Sequence, residues 1–218
     1  MNETVKRAIF GSIYVATLWI CTYYSEISFS ILFGILGLAS LYEMWKLRKG
    51  KTKIAAFLYV IIPFILIQLF GVLDHNYPEN PYNPSIILLL FILTWTFDTF
   101  AYLVGMKYGK HKMFPSISPK KSWEGFFGGM AFTIIAGVIS QFYFRSFFEN
   151  IKLELILIFS IILPFTATLG DFIESYFKRK ANVKDSGNII PGHGGILDRM
   201  DAFMITIPVL YILINLFK

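Results

Sequence analysis

The sequence predicts an all-α, polytopic membrane protein of about seven transmembrane helices with its N-terminus in the cytoplasm, and three observations carry that prediction. The first is composition: of 218 residues, 56% are hydrophobic, 18% aromatic and only 16% charged, with a mean hydropathy of +0.60. A water-soluble chain of this length carries more charge and arranges its apolar residues as faces of elements rather than as unbroken runs. The second is that apolar runs of roughly 20 residues recur, each long enough as a helix to cross a hydrocarbon core of about 30 Å. The third is that the cations fall in alternate connections, as the positive-inside rule requires of an odd number of crossings.

In chain order the runs are Ala8 to Tyr24, Ile27 to Trp45, Ile54 to Leu73, Ser85 to Gly105, Ser122 to Phe144, Leu153 to about Phe177, and Ile196 to Phe217. The opening MNETVKRAIF has the charge of a signal-peptide n-region, but no small-residue cleavage site follows, so the first run is read as an uncleaved helix. Cys21, the single cysteine, lies inside that run, which leaves no disulfide framework and no cysteine-based metal site. The short connections make neighbouring helices antiparallel. One side of the membrane then collects Lys6 and Arg7, Lys46 through Lys53, Lys107 through Lys121, and Lys178 through Lys184, sixteen cations in all. The other side collects three, Arg145, Lys152 and Lys218, beside Glu26 and the proline-rich turn DHNYPENPYNP. No repeat or linker divides the chain, so residues 1–218 are read as a single integral membrane domain, with 1–84 as helices without motifs and 85–218 as the part that carries chemistry.

Ionisable residues inside apolar helices are costly and are retained mostly for function. Asp98 lies about two turns, roughly 10 Å, from the cytoplasmic end of the fourth run. Glu124 opens the fifth, Asp171 and Glu174 lie near the cytoplasmic end of the sixth, and Asp198 and Asp201 open the seventh. All six carboxylates sit at the face that holds the cations, whereas an ion pathway would place some at the midplane or beyond. Thr168, Asp171 and Ser175 recur at intervals of three and four and share a helix face, as do Asp98 with Tyr102 and Asp198 with Asp201. Carboxylates on facing helices suit a hard cation such as Mg²⁺, which keeps part of its shell for water and phosphate.

Between the last two runs lies the most polar stretch, SYFKRKANVKDSGNIIPGHGGILDRMD, from Ser175 to Asp201. Lys178, Arg179, Lys180 and Lys184 lead into a turn in which Gly192, Gly194 and Gly195 surround His193, next to the positive end of the last helix. Glycines there let the backbone approach an anion and offer it N–H groups. The layout reads as a phosphate and metal site at a membrane surface. Anchoring to anionic lipid is the alternative for the cations taken alone, and it is the preferred reading for Lys46 to Lys53, beside which no polar residue of the flanking runs is assigned a role.

The stretch from Ser175 to Asp201 resembles the signature of the phosphatidate cytidylyltransferases, or CDP-diacylglycerol synthases. DTFAY from Asp98 to Tyr102 and SPKKSWEG from Ser118 to Gly125 are similar to further motifs of that family. The resemblance covers about the C-terminal three-fifths of the chain, and the first three runs carry no motif. It implies transfer of CMP from CTP to phosphatidate, giving CDP-diacylglycerol and pyrophosphate, with Mg²⁺ and in some members a potassium ion. It also implies metal binding at Asp171 and Asp198 with Asp201 nearby. Lys178, Arg179, Lys184 and Arg199 become candidate catalytic phosphate contacts. Ser118, Lys120, Lys121, Ser175, His193, Gly194, Gly195 and Asp98 become candidate substrate-binding residues. The partners implied are CTP, phosphatidate, membrane lipid and a second copy of the chain as a homodimer, with no nucleic acid. The setting implied is the inner, cytoplasmic membrane, crossed several times, with the site on its cytoplasmic side. Rival readings are a CTP-dependent polyprenol or phytol kinase, a cation or proton transporter, and a membrane scaffold that binds no nucleotide.

Overall fold

Without water in the bilayer core, a chain must satisfy its backbone hydrogen bonds within each spanning segment, and this one does so with helices. The computed structural model describes residues 3–48, 54–72, 82–148, 151–190 and 194–217. Helix α1 (Glu3–Tyr24) turns at once into α2 (Glu26–Leu47) through Ser25, whose side chain accepts the Ser28 N–H at 3.1 Å and caps the second helix. Then follow α3 (Ile54–Val72) and α4 (Ser85–Tyr108), a hairpin of β1 (Lys112–Phe114) and β2 (Ser118–Ser122), α5 (Trp123–Tyr143), the single turn α6 (Arg145–Phe148), α7 (Leu153–Lys180) and α8 (Leu197–Phe217). Four described helices, α2, α4, α5 and α7, are long and apolar enough to cross a membrane, and α1 and α3 hold shorter apolar stretches. Among the described residues the chain is therefore all-α with one small hairpin, and its apolar helices make it a multi-pass membrane protein. The turn at 74–81, three of the loop lysines (Lys49, Lys51, Lys53), His193 and Lys218 lie outside the described residues.

Helix α2 shows how such a segment is built. Phe29, Phe33, Leu36, Ser40, Glu43 and Met44 form a buried stripe, while Ile27, Ile31, Ile35, Leu38, Tyr42 and Trp45 form an exposed one. An apolar stripe that long has no place in water and is lipid contact here. Because both faces are apolar, the periodicity that would distinguish inside from outside is absent from the sequence.

The most extensive helix contact is α4 with α5, followed by α7 with α8. Small residues set the first. A Cβ on Gly125 would stand 2.6 Å from the Ala101 carbonyl oxygen, and one on Gly129 would stand 2.8 Å from the Phe97 ring. Backbones approaching this closely replace the missing hydrophobic drive between helices in lipid. Gly125→Leu is expected to cost about 1–3 kcal/mol of stability through overpacking, whereas Phe127→Leu on the exposed face of α5 leaves the melting temperature in detergent unchanged.

The hairpin departs from the plain loop that the sequence suggests between the fourth and fifth runs. SPKKS has weak strand propensity, but tertiary ties hold it. The His111 backbone N–H donates to Glu124 at 3.2 Å, its ring Nδ1 lies 2.6 Å from Glu124 Oε1, and Trp123 N–H donates to the His111 carbonyl at 2.9 Å. Phe114 packs edge-on against Phe172 of α7, with ring centroids 4.7 Å apart. The hairpin is thereby laid across the polar ends of α4, α5 and α7.

Candidate active site

The site grows from the end of α7, where helical spacing puts Asp171, Glu174, Ser175 and Lys178 on the inward face. Glu174 is fully buried, and Ser175 and Lys178 nearly so. Helix α8 meets them closely because Gly170 has no side chain, and a Cβ there would collide with the Asp201 carbonyl. Tyr59 of α3 donates its hydroxyl to the Gly170 carbonyl at 2.8 Å, and Thr166 and Thr206 share a hydrogen bond of 2.9 Å deeper between α7 and α8.

Two linked sets of charges result. In the first, Asp171, Glu174 and Asp201 bring carboxylate oxygens within 4.8 Å of one another. Lys121 of the hairpin forms an ion pair with Asp171, and Ser175 donates to Asp171 at 3.3 Å. In the second, Lys178 Nζ lies between Glu174, with which it is paired one turn apart, and Asp198 at 2.6 Å. The other oxygen of Asp198 accepts the backbone N–H groups of Ser186 at 2.9 Å and Gly195 at 2.8 Å. Asp198 thus faces Lys178 and the loop, and Glu174, which the sequence reading did not name as a ligand, is the residue that converges with Asp171 and Asp201.

A cavity of about 590 Å³ opens between α4, α5 and the hairpin and reaches Thr168 of α7; Asp98, Ser118, Lys120 and Lys121 line it. A second cavity of about 250 Å³ lies between α1, α4 and the start of α8, lined by Tyr14, Asp98, Asp198, Arg199 and Asp201. Asp98 borders both. Arg179, Lys180 and Lys184 are exposed, and Arg179 donates to the Val183 carbonyl at 3.1 Å. The four leading cations of the signature therefore divide, with Lys178 buried among carboxylates and three at the surface. Gly194 adopts φ +83°, which glycine tolerates, but the Gly195 N–H that the sequence offered to an anion is already taken by Asp198.

Glu43, which the sequence reading left without a role, belongs here too. It is 1% exposed, and its oxygens accept the N–H groups of Ile196 and Leu197 at the head of α8 and the Ser186 hydroxyl. A lone acid within the apolar run SLYEMWKL was the available signal, by the same rule that singled out Asp98.

Carboxylates from two helices, a hairpin lysine and an adjoining cavity thus meet at one end of a helical membrane bundle, the class of arrangement that a membrane-embedded enzyme needs to bring a cation and an anionic ligand together. A sequence model described as the cytidylyltransferase family matches residues 51–217, and the chain belongs to that family. It is 36% identical over 210 residues to the phosphatidate cytidylyltransferase of Rickettsia bellii (strain RML369-C), covering 94% of this chain and 86% of that protein. Phosphatidate cytidylyltransferases of Staphylococcus saprophyticus and Staphylococcus haemolyticus are 51% and 49% identical over 128 residues, which is 59% of this chain and 48% of each relative. The aligned part thus spans about half the length of the staphylococcal relatives.

Proposed function

We propose that the chain is a phosphatidate cytidylyltransferase. A phosphatidate phosphate oxygen attacks the α-phosphorus of CTP, the bond from that phosphorus to the β-phosphate oxygen breaks, and CDP-diacylglycerol and pyrophosphate leave. The observation that carries the reading is the carboxylate set of α7 and α8 next to a lysine-lined cavity between membrane helices, in a chain of this family.

The residues fit a hard divalent cation. Three carboxylates converge, and Glu174 Oε1 is buried with no hydrogen-bond partner among the described residues, an arrangement that is costly for a carboxylate unless a cation or proton answers it. Asp171, Asp201 and Glu174 would hold Mg²⁺, with Asp198 beside them, and a potassium ion is an added candidate. When bound, the metal supplies charge neutralisation for the triphosphate and the departing pyrophosphate. The nucleophile is already an oxyanion at neutral pH, so the protein's own residues act by positioning and by charge rather than as a strong base. Lys121 stands between Asp171 and the cavity and can share its charge with an anionic substrate. Ser118, Lys120 and Asp98 line the same space, and Arg199 lines the smaller cavity. The exposed Arg179 and Lys184 draw CTP toward the site through a long-range field that salt screens. Gly194 lies in the loop beside it, and His193, outside the described residues, is a substrate-binding candidate from the sequence alone.

The finer topology belongs to the same proposal: residues 1–218 form one membrane unit of seven spans in the cell's inner membrane. The N-terminus and the site are cytoplasmic, and the chain pairs as a homodimer. A reporter active only in the cytoplasm, fused after Lys218, is then expected to be inactive, and activity there would overturn the seven-span orientation. The reaction itself is tested by Mg²⁺-dependent formation of lipid-linked CMP from labelled CTP and phosphatidate in detergent. Labelled CDP with a phosphorylated lipid alcohol would instead mark a kinase.

A further inference from the structure

The loop from Ser186 to Gly195 is held at both ends by carboxylates, and one of them comes from the far end of the chain. Glu43 lies near the end of α2, buried to 1% exposure. Its Oε1 accepts the Ile196 N–H at 3.0 Å, and its Oε2 accepts the Leu197 N–H at 2.9 Å and the Ser186 hydroxyl at 2.7 Å. These are the N–H groups that no helix can satisfy internally, at the end where the peptide dipoles favour negative charge.

Two glycines of the polar stretch exist to admit this side chain. A Cβ on Gly195 would collide with Glu43 Oε2 and the Ser186 hydroxyl, and one on Gly187 would collide with Glu43 Oε1. Asp198 closes the other side of the loop through Ser186 N–H and Gly195 N–H. Glu43 thereby holds the first turn of α8, in addition to the close approach at Gly170 and the Thr166–Thr206 bond along α7. That same turn carries Asp198 to Lys178 and Asp201 toward Asp171 and Glu174.

We infer that Glu43 is a positioning residue that fixes the head of α8 so that Asp201 and Asp198 are presented to the α7 carboxylates for cation binding. The inference rests on the reading of that carboxylate set as a metal site. It gives α2 a part in the chemistry through hydrogen bonds that span most of the chain. Groups that orient metal ligands typically matter about ten- to a hundredfold in metal affinity or activity.

The test uses the full chain in detergent, with Mn²⁺ as a spectroscopic probe and hydrogen exchange read by peptide. Glu43→Gln keeps the volume but turns an N–H donor toward a backbone N–H. It is expected to weaken Mn²⁺ binding about tenfold and to lower kcat with little change in the KM for phosphatidate. It should also speed exchange in peptides covering 186–200 while those from α5 keep their protection. Wild-type Mn²⁺ affinity and loop exchange in that variant would overturn the inference, as would faster exchange spread evenly over the protein, which marks a general structural role. If Glu43→Gln does not fold, Ser186→Ala decides, since it removes one of the three donors: weaker Mn²⁺ binding supports the inference and unchanged binding overturns it. A wild-type protein that binds Mn²⁺ yet makes no CDP-diacylglycerol would defeat the proposed reaction and leave these two measurements able to judge Glu43.

Discussion

Asp171→Asn is expected to lower CTP-dependent turnover by roughly 10²–10³-fold while the protein stays folded. Asp171 is half-buried, with 23% of its side chain open, and its partner Lys121 is 32% open. Losing the negative charge frees Lys121, which is partly open, to turn to water, and the isosteric amide keeps the packing around Asp171, so the fold is expected to survive. The chemistry is affected differently, because Asp171 is the carboxylate of the proposed cation site that pairs with Lys121, and Lys121 lines the larger cavity. The measurement is the initial rate of CDP-diacylglycerol formation across a Mg²⁺ titration, beside a melting curve. A variant that kept near-normal Mg²⁺-dependent turnover would remove Asp171 from the metal site.

Local signals and tertiary ones were unequally legible in the sequence. The boundaries of the apolar runs fall close to those of the helices, because a segment of 20 apolar residues has one way to satisfy its backbone in lipid. The convergence of α7 and α8 carboxylates was legible in part: the sequence paired Asp171 with Asp198 and put Asp201 nearby, since all three stand at helix ends next to the same polar connection, but it gave Glu174 no place in the group. Glu43 was not, because it bonds residues 143 to 154 positions away and a single acid barely lowers the hydropathy of its run. The glycines misled for a related reason. A glycine reports only that something approaches closely, and at Gly195 the visitor is a carboxylate of the protein itself. The hairpin was hidden because its strands are held by His111, Glu124 and Phe172 rather than by their own propensity.

Lys178 separates the two ways of reading the cationic stretch. By sequence it is a candidate phosphate contact and the first of four cations in the stretch, but in the fold it is 8% exposed and bound to Glu174 and Asp198, while Arg179, Lys180 and Lys184 face outward. Lys178→Met would leave two buried carboxylates facing each other without their shared cation. Breaking a buried pair from one side costs about 3–5 kcal/mol, because the charge left behind stays desolvated. The expected result is therefore a large fall in melting temperature and weaker Mg²⁺ dependence, with a KM for CTP changed far less than turnover. Adding Glu174→Gln to Lys178→Met should restore much of the lost stability, as a double-mutant cycle would record, by removing the stranded charge. Arg179→Ala makes the contrast, with stability unchanged and CTP capture less sensitive to salt. If Lys178→Met melted like the wild type and raised the KM for CTP tenfold or more, Lys178 would be a phosphate ligand instead, and the Glu174–Lys178–Asp198 arrangement would have to open when nucleotide binds.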